Sequence, residues 1–286
     1  LFIMNKIINI CGTSRSGSTM LDLMLGHGDK IFSLGEVYAW FRPFRTHHFR
    51  IVCSCNDDWC PWNKLKNLSE NDFFMKSFEI LDVKTLIDSS KDLVWVIDNN
   101  IFASKHYIKL CNIVIFKEPA SYFFSYWKRN ISLHRACKYF ISYYSRIFQL
   151  QLPYVAISYD LLVSQPSETL RKLCEIVDIP YFPGKENFWE GQHHQLFGSR
   201  GTRIQIQNKE SHIEKEIEYP QQYLLHFNQI QKYHFYNKFL SVYKILKAQE
   251  LVFYYSETKI SKPYWYFVDK FKQKSRKYFP EQSKYD

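Results

Sequence analysis

The sequence predicts an α/β fold in which a parallel β-sheet is flanked by helices. Short apolar runs, typical of buried strands, occupy residues 6–11, 85–87, 113–116 and 155–157. Longer segments with helical spacing of apolar residues separate them, notably residues 120–149 and 167–177. Strands that alternate with helices in this way favour a parallel sheet covered on both faces. Ligands of such sheets bind at the carboxyl ends of strands, so function is expected in the residues that follow each run.

A loop rich in glycine and serine follows the first predicted strand. Residues 12–19 have the G-x4-G-x-[ST] frame of a phosphate-binding loop, and helical spacing begins at Thr19. In such a loop, backbone N–H groups and the positive end of the helix bind an anion. Nucleoside triphosphatases need Lys after the second glycine, where this chain has Ser18. Here Arg15 supplies the cation, and its planar guanidinium can donate two hydrogen bonds to phosphate or sulfonate oxygens. A generic turn rich in serine and glycine is the alternative.

The C-terminal part of the chain differs in composition. Residues 221–248 have the pattern of one long amphipathic helix, whereas residues 250–286 alternate aromatic residues with lysines. We therefore assign residues 1–250 to one domain and residues 251–286 to a basic, aromatic extension. The extension is interpreted as a helix that covers the domain and keeps a solvated basic face. Contact with an anionic membrane surface or with nucleic acid is the alternative.

The composition excludes several classes of protein. Hydrophobic residues make up 46% of the 286 residues and aromatic residues 18%, which excludes a disordered chain. Since no apolar run approaches the roughly 20 residues that span a bilayer, and no signal peptide is visible, we expect a soluble, cytoplasmic protein. The excess of 38 basic over 28 acidic residues predicts an anionic partner: nucleic acid, an acidic membrane surface or a phosphorylated small molecule.

The seven cysteines do not form the pattern of a disulfide scaffold. Cys53, Cys55 and Cys60 form a Cys-x-Cys-x4-Cys cluster with His47 and His48 nearby, which leaves open a Cys3His zinc site, a cluster of thiols or a disulfide. The spacing lacks a second Cys-x2-Cys pair, and we expect no metal. The other cysteines lie within or beside apolar runs and are expected to be small buried residues: Cys11, Cys111, Cys137 and Cys174.

The loop resembles a known family. Residues 15–21, Arg-Ser-Gly-Ser-Thr-Met-Leu, are similar to the 5′-phosphosulfate loop of sulfotransferases that use 3′-phosphoadenosine 5′-phosphosulfate (PAPS). The branch whose loop begins Arg-Ser-Gly-[Ser/Thr]-Thr includes tyrosylprotein sulfotransferases and many bacterial and Golgi carbohydrate sulfotransferases. The resemblance implies a P-loop-like sulfotransferase fold. It also implies a group of PAPS-binding residues in the loop: Ser14, Arg15, Ser16, Gly17, Ser18 and Thr19.

Further landmarks of the family follow in order along the chain. Lys117-Glu118-Pro119 after a strand, with Ser125 eight residues after Lys117, resembles the 3′-phosphate element, in which Arg is usual. Lys117 keeps the charge of that Arg and loses its bidentate geometry. Residues 157–162 resemble the Tyr-[Glu/Asp]-x-Leu element, whose tyrosine, here Tyr159, reaches the PAPS phosphates. Residues 194–203 resemble a late segment near the cofactor that ends in Arg203 and has Ser199 where Asn is usual.

The resemblance, which spans about residues 6–203, also implies catalytic residues. Leu34-Gly35-Glu36 is similar to the segment whose carboxylate is the catalytic base, and Asp88-Ser89-Ser90-Lys91 to the element whose lysine approaches the transferring sulfonate. Glu36 would accept the proton of an acceptor hydroxyl, while Arg15 and Lys91 would stabilise developing charge. The implied reaction transfers the sulfonate of PAPS to a carbohydrate or glycolipid hydroxyl, releases 3′-phosphoadenosine 5′-phosphate (PAP) and requires no metal.

Other interpretations of these residues stay open. Within enzymes the rival is a P-loop kinase or nucleotidase, which Ser18 disfavours, and outside enzymes it is a basic protein that binds nucleic acid or a membrane surface. Glu36 alone could be a solvated or capping carboxylate, Ser125 could hydrogen-bond to its own helix, and Tyr159 could be a core residue. We expect a small-molecule or glycan acceptor as partner and no nucleic acid; the sequence does not indicate an oligomeric state.

Overall fold

Strand order places the first strand in the middle of the sheet. The computed structural model describes residues 4–49, 53, 55, 59–210, 217–255 and 262–278. Within these residues, six strands form one sheet in the order β2-β3-β1-β4-β5-β6, parallel except for β6, which is antiparallel to β5. The predicted α/β class with a mainly parallel sheet is thereby confirmed. The strands are β1 Lys6–Cys11, β2 Ile31–Gly35, β3 Thr85–Asp88, β4 Lys109–Phe116, β5 Tyr154–Ser158 and β6 Phe253–Tyr254.

Helices cover both faces of this sheet. In chain order they are α1 Ser18–Gly26, α2 Val37–Phe41, α3 Trp62–Leu65, α4 Phe73–Leu81, α5 Leu93–Lys105, α6 Pro119–Trp127, α7 Leu133–Leu150, α8 Tyr159–Ser164, α9 Pro166–Val177, α10 Arg200–Asn208, α11 Gln221–Ile230, α12 His234–Ala248 and α13 Tyr264–Tyr278. None of the helices in the described residues is long and apolar enough to cross a membrane.

The strands are apolar on both faces because each face has its own core. Successive strand residues point to opposite sides of a sheet. Ile113 and Ile115 of β4 lie in the core beneath α1 and α9, whereas Val114 and Phe116 lie in the core formed with α6, α7 and α12. A third cluster surrounds the β2 edge and includes Leu34. Two-sided burial explains why the sequence shows continuous apolar runs instead of alternation.

One helix that the sequence predicts as continuous is divided in two, and so is a long segment with helical spacing. The segment 120–149 forms α6 and α7, with Asn130 at φ 55° in the turn between them, and the segment 221–248 forms α11 and α12. The Phe123 ring of α6 lies 5.7 Å from Phe227 of α11 and 4.9 Å from Phe239 of α12, between ring centroids. The break thus lets two helices pack against one aromatic cluster, and this tertiary packing overrides the continuous apolar period.

Part of the C-terminal extension packs on the rest of the molecule. Strand β6 pairs with β5, and the buried Tyr266 of α13 donates a hydrogen bond to Asp98 of α5 at 2.8 Å. Arg146 of α7 forms an ion pair with Asp269 at 2.9 Å. The described part of the extension therefore covers the domain as the helical interpretation expects, while the division at residue 250 stays a prediction.

A network of buried amides lies across the central strands. Asn9 of β1 and Asn112 of β4 are partners in the parallel register, and the Asn9 Nδ2 donates to the Asn112 Oδ1 at 3.0 Å. Asn99 and Asn100 of α5 continue the network: Asn99 donates to the Asn9 Oδ1 at 2.9 Å, and Asn100 exchanges hydrogen bonds with Asn112. Buried amides need these partners, so the network favours this strand register over its neighbours.

We expect Asn112→Ala to lower the free energy of unfolding by about 2–4 kcal/mol, because it leaves the Asn9 Nδ2, the Asn100 Oδ1 and the Pro153 carbonyl without this partner. Urea denaturation measures the effect, with the exposed Asn208→Ala as control. Equal stability of the two variants would contradict the role given to the network.

Candidate functional site

The loop between β1 and α1 has the geometry of an anion cradle. Gly17 precedes α1 with φ 97°, and a Cβ built there would lie 2.2 Å from the Tyr159 ring. A Cβ on Gly12 would lie 2.6 Å from the carbonyl oxygen of Ile115. Both glycines of the predicted frame are therefore required, one by conformation and contact, the other by contact. The first N–H groups of α1 have no partner within the helix and face the loop, as an anion site requires.

Tyrosine hydroxyls form hydrogen bonds with the backbone of this loop. Tyr143 accepts a hydrogen bond from the Gly12 N–H at 2.9 Å and donates one to the Lys91 carbonyl at 2.7 Å. Burial raises the pKa of Tyr143 well above its usual value, so its hydroxyl keeps the proton that it donates. Tyr126 donates to the Ser14 carbonyl at 3.0 Å. No sequence motif indicates these residues, because tyrosines at helical spacing look like ordinary core.

Glu36 and Lys91 form an ion pair at the ends of the neighbouring strands β2 and β3. The Lys91 Nζ lies 2.6 Å from the Glu36 Oε1, and the two side chains are only 16% and 20% exposed. Lys91 also donates to the Ser89 carbonyl at 2.9 Å and has φ 65°. The Glu36 N–H donates to the Leu196 carbonyl at 3.3 Å, which fixes the backbone beside the carboxylate. The two predicted catalytic side chains are thus held against each other in a sheltered position.

Lys117 lies at the end of β4, on the other side of the loop. Its Nζ is 3.8 Å from the centroid of the Tyr159 ring. Burial lowers the pKa of Lys117 to about 8; Asp160 opposes this shift, while Arg15 adds to it. The Asp160 carboxylate accepts hydrogen bonds from the Glu118 N–H at 2.8 Å and from the Ser121 hydroxyl at 2.7 Å. It therefore compensates the charge of Lys117 only in part.

One cavity of about 570 Å³ collects most of the predicted residues. They line it from the ends of β1, β2, β3, β4 and β5, the edge at which a parallel sheet binds its ligands. The predicted residues in its wall are Ser14, Arg15, Gly17, Ser18, Thr19, Glu36, Lys91, Lys117 and Tyr159.

Three predicted cofactor-binding residues do not line this cavity. Ser16 is buried, and its Oγ has no hydrogen-bond partner within the described residues. The Ser125 hydroxyl donates to the Tyr122 carbonyl at 2.7 Å, the back-bonding that the sequence analysis gave as its alternative. Arg203 lies on α10, whose Thr202 and Gln205 reach the cavity instead.

The cavity also has walls that no motif indicated. Tyr38 and Phe44 come from the segment after Glu36, and Trp265 and Asp269 come from α13. Gln273 of α13 donates to the Asp92 carboxylate, which directly follows Lys91 and caps α5. The C-terminal extension therefore takes part in the site, a placement that depends on long-range packing and leaves no local signal in the sequence.

A buried carboxylate connects the elements around the loop. Asp22 of α1 is fully buried and accepts hydrogen bonds from the Ser89 hydroxyl at 2.6 Å and from the Gln195 amide. Burial raises the pKa of Asp22 to about 6, although these hydrogen bonds oppose the shift. One turn earlier, Thr19 accepts from the Ser199 N–H at 3.0 Å. Helix α1 is thereby joined to the end of β3 and to the segment 195–199.

The cysteine cluster has a different histidine from the one expected. The ligand atoms of Cys53, Cys55, Cys60 and His194 all lie within 4.8 Å of one another. His48 instead accepts a hydrogen bond at its Nδ1 from the Phe44 N–H at 3.3 Å, and the side chain of the other expected histidine lies outside the described residues. None of the seven cysteines, all within the described residues, is in a disulfide bond. The four remaining cysteines are buried, as predicted.

The fold is that of sulfotransferase domains. The sulfotransferase domain from the curacin biosynthetic pathway superposes with a TM-score of 0.50 at 18% sequence identity, over 80% of this chain and 98% of that one. The sulfotransferase domain of the Synechococcus PCC 7002 olefin synthase superposes with a TM-score of 0.47 at 17% identity, over 80% of this chain and 95% of that one. No family model and no curated protein sequence matches the chain.

We expect the contribution of Asp22 to the free energy of unfolding to fall as the pH rises from about 4 to 6, because the folded state then keeps a proton on Asp22 that the unfolded chain has released. Asp22→Asn should remove up to about 2–3 kcal/mol of this pH dependence. Urea denaturation between pH 4 and 8 measures it. The exposed Asp29→Asn is the control, and identical pH profiles for the two variants would show that Asp22 does not carry the effect.

Proposed function

We propose that the protein is a PAPS-dependent sulfotransferase that acts on a hydroxyl group of a carbohydrate or glycolipid. The observation that carries the proposal is the Glu36–Lys91 pair, which shares one cavity with a phosphate loop that has Ser18 in place of the nucleotidase lysine. A base beside a cation, facing an anion cradle, suits transfer of a charged group to an alcohol. The shared sulfotransferase-domain fold agrees with this arrangement.

The residues present fit a nucleotide with two anionic ends. At one end, the first turn of α1 and the Arg15 side chain offer N–H donors, and the buried Ser16 hydroxyl has no described partner. At the other end, the lowered pKa of Lys117 indicates a cation with too little compensation, which an anion would supply. We assign the 5′-phosphosulfate to the first group and the 3′-phosphate to Lys117. Since Ser125 bonds to its own helix, this assignment does not use it.

The chemistry requires a base, charge stabilisation and alignment. Bound PAPS supplies the sulfonate, and PAP is released. Glu36 would accept the proton of the acceptor hydroxyl as the new oxygen–sulfur bond forms and the bond between the sulfur and the 5′-phosphate oxygen breaks, with its electron pair leaving on PAP. Lys91, which reaches Glu36 at 2.6 Å, keeps that carboxylate oriented and stabilises negative charge that develops on the leaving side, together with Arg15. The protein contributes positioning and electrostatics, so the rigidity of the strand ends is part of the mechanism.

The aromatic residues in the cavity wall support our choice of acceptor class. Tyr38, Phe44, Tyr139 and Trp265 contribute aromatic side chains to the wall. Aromatic faces pack well against the C–H faces of sugars, while their polar edges remain hydrated. Arg146 and Asp269, also in the wall, offer a donor and an acceptor to hydroxyl groups. This combination supports a glycan or glycolipid acceptor.

The decisive experiment measures labelled sulfonate transfer from PAPS to a panel of glycans and phenols. We expect Glu36→Gln to reduce kcat by about 10²–10⁴-fold while PAP still raises the Tm, because the base does not bind the nucleotide. Arg15→Ala should reduce both activity and the PAP effect. The exposed Glu79→Gln and Arg171→Ala are matched controls. Full activity of both site variants would show that the roles given to Glu36 and Arg15 are wrong. A rise in Tm with ATP and Mg²⁺ but not with PAP would overturn the proposal in favour of a kinase.

PAP affinity should fall as the pH rises through about 8, since Lys117 loses its proton there and neutral amine attracts phosphate weakly. The loss approaches about tenfold per pH unit above the pKa. In Lys117→Arg the guanidinium stays charged, and the decline should disappear. Titration of PAP between pH 7 and 9.5, followed by calorimetry, compares the two proteins. Equal slopes would remove Lys117 from the nucleotide site.

A further inference from the structure

We propose that Cys53, Cys55, Cys60 and His194 bind a structural zinc ion, which fastens the three cysteines to the segment that supports Glu36. The proposal rests on the spatial arrangement of four side chains, and it does not depend on the sulfotransferase activity proposed above. Three of the four residues lie within eight positions of the sequence, and the fourth comes from more than 130 residues later in the chain. The fold brings them to one place.

The ligand atoms already have nearly the separation that zinc requires. All four lie within 4.8 Å of one another, and the Cys53 Sγ is 4.0 Å from the His194 Nδ1. In a tetrahedral site with Zn–S bonds of about 2.3 Å and Zn–N bonds of about 2.0 Å, ligand atoms are roughly 3.5–3.8 Å apart. A shift of well under one ångström per side chain therefore closes the site, without backbone rearrangement.

The donor set selects the metal. Three thiolates and one imidazole form a Cys3His set, which is typical of structural zinc and leaves no coordination position for water or substrate. Calcium and magnesium prefer oxygen ligands, and iron–sulfur clusters are usually held by four thiolates. Four protein ligands also exclude the open position of a catalytic metal, so the ion has a structural role and the proposed transfer reaction still needs no metal.

The surroundings of the ligands resemble a prepared metal site. Cys53 and Cys60 are only 8% and 7% exposed and pack in the cluster around the β2 edge. The His194 ring is stacked on Phe32, with 5° between the ring planes, and the Trp62 Nε1 donates to the His194 carbonyl. Ring stacking and a backbone hydrogen bond orient the histidine from outside the ligand set, the role that outer-shell contacts have in metal proteins.

The proposed zinc site is connected to the neighbouring cavity through the backbone beside Glu36. Two residues after His194, Leu196 donates to the Leu34 carbonyl at 3.4 Å and accepts from the Glu36 N–H at 3.3 Å. A Cβ on Gly35 would lie 2.2 Å from the Leu196 carbonyl oxygen, so this contact is close as well as hydrogen-bonded. A zinc ion bound to His194 thus restrains the strand that precedes Glu36. Its loss should loosen that carboxylate without removing any group from the cavity.

The first test is the metal content of protein purified without chelators. We expect about one zinc per chain by elemental mass spectrometry in the wild-type protein, and a loss of at least about tenfold in Cys55→Ala and in His194→Ala. Cys137→Ala, at a buried thiol outside the cluster, and His106→Ala, at an exposed histidine, are the controls and should keep the ion. Metal-free wild-type protein, or equal zinc in site and control variants, would overturn the proposal.

A second measurement uses the wild-type chain alone and so remains valid if a variant fails to fold. Removal of the ion with a chelator should lower the Tm by at least about 5 °C, and zinc but not magnesium should restore it. Cobalt added to the stripped protein should give the visible absorption of tetrahedral thiolate-bound Co²⁺. Thiol titration in denaturant and chelator should find seven thiols; two fewer would show a disulfide and overturn the zinc site. None of these readouts involves sulfonate transfer, so failure of either proposal is distinguishable from failure of the other.

Discussion

The parallel pairing of β1 with β3 and β4 is the constraint on which the whole site depends. Because Asn9 is opposite Asp88, and Cys11 is opposite Val114, these strands end at the same edge and their following residues face one cavity. A slip of one residue would move a strand end by about 3.3 Å and turn every side chain to the other face. The buried amides across the strands oppose such a slip, since only one alignment pairs them. The chemistry at the edge therefore depends on polar groups in the interior of the sheet.

The cavity concentrates positive charge without fully compensating it. Lys91 has the carboxylate of Glu36, whereas Lys117 faces an aromatic ring, which interacts with a cation more weakly than a carboxylate does. The cations are fixed in place by strand ends and by tyrosine hydroxyls, so little reorganisation is needed when an anion arrives. The net charge of +10 by itself suits nucleic acid or a membrane equally well. Part of the excess of basic residues is explained by the cations that line this cavity.

The sequence predicted the fold class, and most of the site residues that it indicated line the cavity, because both depend on local patterns. Apolar runs predict strands, and a glycine frame such as that of Gly12 and Gly17 predicts a backbone conformation that other residues rarely adopt. The prediction of one continuous helix over residues 221–248 was wrong, because the chain breaks there so that α11 and α12 can both pack against Phe123. Tyr143 and Trp265 were missed because their roles arise from contacts between distant segments. The position of His194 beside the cysteine cluster was missed for the same reason, because no spacing rule connects this histidine with cysteines so far away in the chain.

Helix α13 contributes Trp265 and Asp269 to the cavity wall, although it follows every other described element in the chain. Synthesis of the protein runs from the phosphate loop towards this helix, so the loop, Glu36 and Lys91 emerge from the ribosome long before the wall that completes their surroundings. A nascent chain that ends before residue 264 contains the whole sheet, including β6, and lacks this side of the cavity. The order of translation therefore sets the order in which the cavity can be assembled: the loop between β1 and α1 can form early, whereas the complete cavity wall exists only after α13 has been made.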